Sequence, residues 1–114
     1  MAGLSSVPPP PPPPSRLSDI EIQRALGTLP GWARRGDAIV RTYYFATFPA
    51  GVDFIAQVAK IAESMQHHPD IDIRYTKVLF ILSTHDVGGV SSKDLELARR
   101  IEELVEPPEV TPAV

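Results

Sequence analysis

Val78-Leu79-Phe80-Ile81-Leu82-Ser83-Thr84 is the most strand-like stretch of this 114-residue chain. Branched and aromatic side chains dominate it, the types that fit a pleated sheet. Val78, Phe80 and Leu82 alternate with Leu79, Ile81 and Ser83, so both faces are apolar around Leu79–Leu82. That pattern predicts a central strand with one face on helices and the other partly covered. A shorter strand, Ile71–Tyr75, precedes it.

The rest of the fold is read outward from this strand. Trp32–Arg35 and Ala38–Phe45 flank Gly36-Asp37, a tight-turn pair, which predicts a hairpin. A helix is expected over Asp19–Leu29, opened by a Ser18/Glu21 capping box and ended by Leu29-Pro30-Gly31. Ile20, Ala25, Leu26 and Leu29 fall near one face of it. A second helix starts near Pro49 and runs to about Gln66, with Val52, Ile55, Ala59, Ala62 and Met65 as its apolar stripe. Pro69 opposes continuation past His68. Ser91 and Asp94 open a third helix in another capping-box pattern, and Pro107-Pro108 closes it. Trp32, Phe48 and Phe54 are expected in the core. The order α-β-β-α-β-β-α predicts an α+β two-layer sandwich: a four-stranded, mainly antiparallel sheet with three helices.

Composition narrows the function. The chain has no cysteine, which removes disulfides, thiolate nucleophiles and cysteine-ligated metal sites. A cytoplasmic setting fits. The net charge of -3 provides no basic field for nucleic acid or anionic lipid. Apolar stretches fall far short of a membrane span, and the N-terminus lacks the features of a signal peptide. Seven of the 13 prolines form one run, Pro8–Pro14. Residues 1–15 therefore read as a Pro-rich tail, either a solvated spacer or a ligand for an aromatic-lined groove on a protein partner. Residues 16–106 form the expected domain and 107–114 a loose C-terminal tail.

All three histidines lie between positions 67 and 85, at the expected ends of elements. Glu63 stands one helical turn before His67, and Asp70, Asp86 and Asp94 accompany them. A carboxylate can orient an imidazole and raise its basicity. Three readings stay open on these residues alone. Three histidines and a carboxylate could ligate zinc or iron(II), although the helical His-x-x-x-His spacing is missing. Imidazoles titrating near neutral pH could pass protons to and from a substrate without a metal. The histidines could also be ordinary surface or capping groups.

The string Glu63-Ser64-Met65-Gln66-His67-His68-Pro69, followed by Tyr75, His85 and Asp94, is specific enough to name a family. It resembles the pterin-4a-carbinolamine dehydratases, also called 4a-hydroxytetrahydrobiopterin dehydratases. Their pattern is an acid, three residues, His-His-Pro, an aromatic, a histidine ten residues later and a downstream Asp. Leu29-Pro30-Gly31-Trp32 and Thr84-His85-Asp86-Val87-Gly88-Gly89 are similar as well, and the resemblance spans roughly Leu17–Leu104.

The resemblance implies a hydro-lyase acting in tetrahydrobiopterin recycling. Its substrate would be a 4a-hydroxytetrahydropterin, which loses water across C4a and N5 to give the quinonoid dihydropterin. His67, His68 and His85 would be the catalytic trio, with His67 and His85 as the proton-transfer pair and His68 positioning the pterin. Glu63 would orient a histidine, and Asp94 would hold the loop or contact the site. Pro69, Thr84 and Asp86 would bind the substrate. No metal and no cofactor is implied. Ile71 stands where many members carry a tryptophan, which bears on pterin packing at the rim of the site. The family also implies a homodimer or homotetramer, joined through sheet edges and helix faces.

A second reading belongs to a different class. Relatives of this kind include a cofactor of a homeodomain transcription factor and an assembly factor for RuBisCO. The chain would then be a non-catalytic assembly or binding protein on the same fold. Retention of all three histidines with Glu63 favours catalysis, whereas the polyproline tail keeps an interaction role open.

Overall fold

The computed structural model describes residues 15–105. The polyproline run, the expected closure of the last helix at Pro107-Pro108 and the C-terminal tail lie outside the described residues. Helix α1 (Asp19–Leu26) leads into strands β1 (Ala33–Arg35) and β2 (Ala38–Tyr44). Helix α2 (Phe48–Met65) follows, then β3 (Asp70–Arg74) and β4 (Lys77–Leu82). A short 3-10 turn at His85–Val87 precedes helix α3 (Ser92–Val105).

The four strands form one sheet in the order β1-β2-β4-β3, with every pairing antiparallel. The fold is α+β, with the expected element order. The strand predicted to be central pairs on both sides: Phe80 lies opposite Arg41 of β2 and opposite Ile71 of β3. Val78, Phe80 and Leu82 are fully buried on one face, whereas Leu79 and Ile81 on the other are only partly covered.

α2 and α3 pack on the buried face. Phe54 of α2 stands edge-on to Phe80 and tilted against Tyr43, with ring centroids 5.9 and 5.3 Å apart. Leu97, Ala98 and Ile101 of α3 and Ile22 of α1 complete the core around Trp32, Ile39 and Val58. Burying one side chain of this size contributes roughly 1.5–3 kcal/mol.

Several boundaries and faces differ from the sequence expectation. α1 stops at Leu26, because Gly27 turns its N–H back onto Gln23 and Arg24 carbonyls. Its buried residue is Ile22, while Ile20 is half exposed. The buried stripe of α2 is Gly51, Phe54, Val58 and Ala62, rotated away from Val52 and Ala59, which are exposed. A Cβ at Gly51 would stand 3.4 Å from Phe45 and Val78, in ordinary van der Waals contact, so this face packs directly on the sheet. Phe48, expected in the core, is half exposed at the start of α2. β4 ends at Leu82, and Thr84 instead makes an isolated bridge with Gly89.

Candidate active site

The end of α2 separates the two adjacent histidines. Gln66 adopts the left-handed conformation at φ 55°, and its N–H returns to the Glu63 carbonyl. The His67 N–H then reaches the Ala62 carbonyl at 3.0 Å. This pair of bonds is the Schellman ending, which satisfies the last carbonyls of a helix and turns the chain sharply. The turn sends His67 inward and leaves His68 outside.

His67 is 9% exposed, and its Nε2 lies 2.6 Å from Oδ1 of Asp94, itself 0% exposed in the first turn of α3. The other carboxylate oxygen of Asp94 accepts the Ser91 N–H at 2.9 Å and the Thr84 hydroxyl at 2.8 Å. A buried carboxylate can only accept, so Nε2 of His67 carries the proton in this bond. The N-terminal end of α3 also favours negative charge at Asp94. With Nε2 committed, Nδ1 is the ring nitrogen of His67 left for a ligand.

His68 behaves differently. Its Nε2 pairs with Oε1 of Glu63 at 2.8 Å, and both side chains are exposed. His85 starts the 3-10 turn after β4, and its imidazole has no hydrogen-bond partner among the described residues. The two histidines bonded to carboxylates thus use different carboxylates, on α3 and α2. Among the described residues, no group of three or more His, Asp or Glu side chains converges as a metal site would require.

His67, His68 and His85 share one cleft of about 270 Å³ with Thr84 and Asp86. Gln66, Ser83 and Lys93 complete its lining. Glu63, Pro69 and Asp94 stand outside that lining, and Asp94 is joined to it through His67 and Thr84. The Thr84 hydroxyl is engaged within the protein, by Asp94 and by Ser91 Oγ at 2.6 Å. Its backbone is engaged too, donating to Gly89 and accepting from Val87. Gln66, Ser83, Ser91 and Lys93 were not singled out as site residues from sequence. For Ser91 a signal existed: a helix-capping residue three positions before Asp94.

The capping box predicted at α3 forms in altered shape. Asp94 accepts the Ser91 N–H as expected, but Ser91 Oγ takes the Lys93 N–H at 3.2 Å. One motif thereby both caps the helix and fixes the carboxylate that holds His67.

Known proteins resemble this chain in sequence and in fold. The family model for pterin 4 alpha carbinolamine dehydratase matches residues 15–104. A Roseiflexus sp. (strain RS-1) protein named "Putative pterin-4-alpha-carbinolamine dehydratase" is 48% identical over 91 residues, 80% of this chain and 98% of its own. A protein of the same name from Nocardia farcinica is 51% identical over 88 residues, 77% of this chain and 93% of its own. The crystal structure of a transcriptional coactivator/pterin dehydratase from Brucella melitensis superposes with a TM-score of 0.78. It is 34% identical, covering 81% of this chain and 100% of that one. A pterin dehydratase-like RuBisCO assembly factor of the alpha-carboxysome shares the fold, at a TM-score of 0.53 and 19% identity over 64% of this chain and 84% of that one. The chain belongs to the pterin 4 alpha carbinolamine dehydratase family.

Proposed function

We propose that the cleft dehydrates a 4a-hydroxytetrahydropterin to the quinonoid dihydropterin. The observation that carries this reading is the His67–Asp94 pair opening on the same cleft as His85. The reaction breaks the C4a–O bond and the N5–H bond and forms C4a=N5, releasing water. The leaving hydroxyl needs a proton, and the N5 proton needs an acceptor. Two imidazoles, each able to donate and to accept a proton, can serve both ends. His67, oriented by Asp94, offers Nδ1, and His85 offers a ring with no hydrogen-bond partner among the described residues. His68 positions the pterin, aided by Glu63. Thr84 and Asp86 shape the binding surface, and Pro69 fixes the chain beside His68.

A second reading is a binding role without catalysis. The likeness to a chain described as both coactivator and dehydratase favours it. One assay separates the two. The purified protein is expected to dehydrate 4a-hydroxytetrahydropterin well above the spontaneous rate. His67→Ala and His85→Ala are each expected to lower kcat while leaving the circular dichroism spectrum unchanged. A wild-type rate equal to the spontaneous one would sink the enzyme reading and leave the binding role.

A further inference from the structure

Ser91 and Thr84 are buried hydroxyls beside a carboxylate, 0% and 6% exposed, and the acid–base scheme gives neither side chain a task. Their proton directions follow from counting. Asp94 Oδ2 accepts the Thr84 hydroxyl at 2.8 Å. A hydroxyl has one proton, so Thr84 Oγ1 must accept at its 2.6 Å contact with Ser91 Oγ. Ser91 therefore donates to Thr84, and its own oxygen accepts the Lys93 N–H at 3.2 Å. The chain of donors runs one way: Lys93 N–H, Ser91 O–H, Thr84 O–H, Asp94. The Ser91 N–H adds a second donor to the same oxygen at 2.9 Å.

We propose that Ser91 and Thr84 are positioning residues, a one-way hydroxyl relay that fixes the Asp94 carboxylate and thereby holds His67 as the Nε2–H tautomer. With Oδ2 filled by two donors, Oδ1 is turned to His67 and the carboxylate cannot swing away. Donors also spread its negative charge, so Asp94 attracts the His67 proton less than a bare buried carboxylate would. The relay thus sets both which nitrogen faces the substrate and how readily that ring gives up its proton. The other titratable groups around the cleft are His68, His85, Asp86 and Lys93. None of their side chains hydrogen-bonds the two hydroxyls or Asp94 among the described residues.

The inference rests on the dehydratase reading for its kinetic consequence but not for its structural one. The test therefore has two arms. In the first, long-range 1H–15N spectra of the free protein report the His67 tautomer above its titration midpoint. Wild type is expected as Nε2–H. Thr84→Val, which keeps the shape and removes the hydroxyl, is expected to admit the Nδ1–H form and to raise the His67 midpoint. Thr84→Ser is expected to restore the wild-type pattern, and Ser91→Ala to shift it in the direction of Thr84→Val by less. In the second arm, Thr84→Val is expected to lower kcat by roughly 10–100-fold with KM within about threefold, and Thr84→Ser to recover it. If Thr84→Val fails to fold, Ser91→Ala and Thr84→Ser carry both arms. A wild-type Nδ1–H tautomer would overturn the relay. So would hydroxyl deletions that leave tautomer, midpoint and kcat unchanged. A protein without dehydratase activity but with the expected tautomer response would overturn the reaction and keep the relay.

Discussion

Nε2 of His67 lies 2.6 Å from Oδ1 of Asp94, across 27 residues of sequence, and both side chains are buried. His68, the next residue, meets Glu63 at nearly the same distance but in solvent. Two adjacent histidines with similar bonds therefore stand in different dielectric surroundings. A charge-assisted bond is strong in a buried site and weak at an exposed one. That contrast predicts unequal consequences when each carboxylate is changed.

Asp94→Asn keeps the volume but alters what the group can accept. Its single carbonyl oxygen would stay with the Thr84 hydroxyl and the Ser91 N–H. The amide N–H would then face His67 Nε2 and force it to accept, moving the ring proton to Nδ1. We expect kcat for 4a-hydroxytetrahydropterin to fall by about 10²-fold or more, with the protein still folded. Steady-state kinetics with a thermal melt checks this. A kcat within threefold of wild type would show that the tautomer of His67 is immaterial.

Glu63→Gln should do little by comparison. The side chains of His68 and Glu63 are 63% and 75% exposed, so water screens the pair. Such pairs contribute about 0–1 kcal/mol. We expect the unfolding free energy to change by under about 0.5 kcal/mol and kcat by under about threefold. Urea titration and the same kinetic assay measure both. A large loss in kcat would mean that Glu63 acts in the reaction itself.

The order of elements is legible in the sequence because local rules and tertiary structure agree there. Gly36 takes φ 62° in the turn between β1 and β2, and Ser18 with Glu21 forms the full capping box of α1. The gathering of all three histidines on one cleft is likewise foreshadowed by their places at element ends. What local pattern cannot reveal depends on distant contacts. The apolar arc of α2 is broad enough for two stripes, and packing against the sheet, with Phe54 and Val58 in the core, decides between them. Which of His67 and His68 turns inward depends on the left-handed residue at Gln66. That the Thr84 hydroxyl bonds Ser91 and Asp94 is hidden in the sequence as well, because only the fold brings these partners to it.

Glu102 anchors a second polar cluster, eight residues further along α3, or about 12 Å from Asp94 along the axis. One of its oxygens accepts from Trp32 Nε1 at 3.0 Å and from the Tyr43 hydroxyl, with the Arg41 guanidinium 3.6 Å away. Glu102→Ala leaves buried donors without an acceptor, and we expect it to cost about 2–3 kcal/mol in urea unfolding with kcat unchanged. A loss of activity in the folded variant would tie this cluster to the cleft. The cluster also carries a pH dependence. Burial first, and then the Glu102 carboxylate, push the Tyr43 phenol far above its ordinary value of 10.0. The unfolded phenol releases its proton at lower pH than the folded one. Stability from this group is therefore full below the ordinary value and declines as pH rises above it, a decline that Tyr43→Phe should reduce.

Gln66 is the place to separate helix stopping from ligand contact, because it holds φ 55° and also lines the cleft. A non-glycine residue in the left-handed region carries about 1–2 kcal/mol of strain. Glycine removes that strain but has more unfolded freedom to lose, roughly 0.5–1 kcal/mol. The two nearly offset, so Gln66→Gly should leave the unfolding free energy within about 1 kcal/mol of wild type. Gln66→Val, branched at Cβ, should destabilise clearly, because such residues tolerate this region poorly. With the fold retained in Gln66→Gly, its kinetics isolate the lost side chain. An unchanged kcat with raised KM would mark Gln66 as a contact to the bound pterin. A destabilisation well above 1 kcal/mol in the glycine variant would mean instead that the Gln66 side chain, not the backbone turn, holds the end of α2.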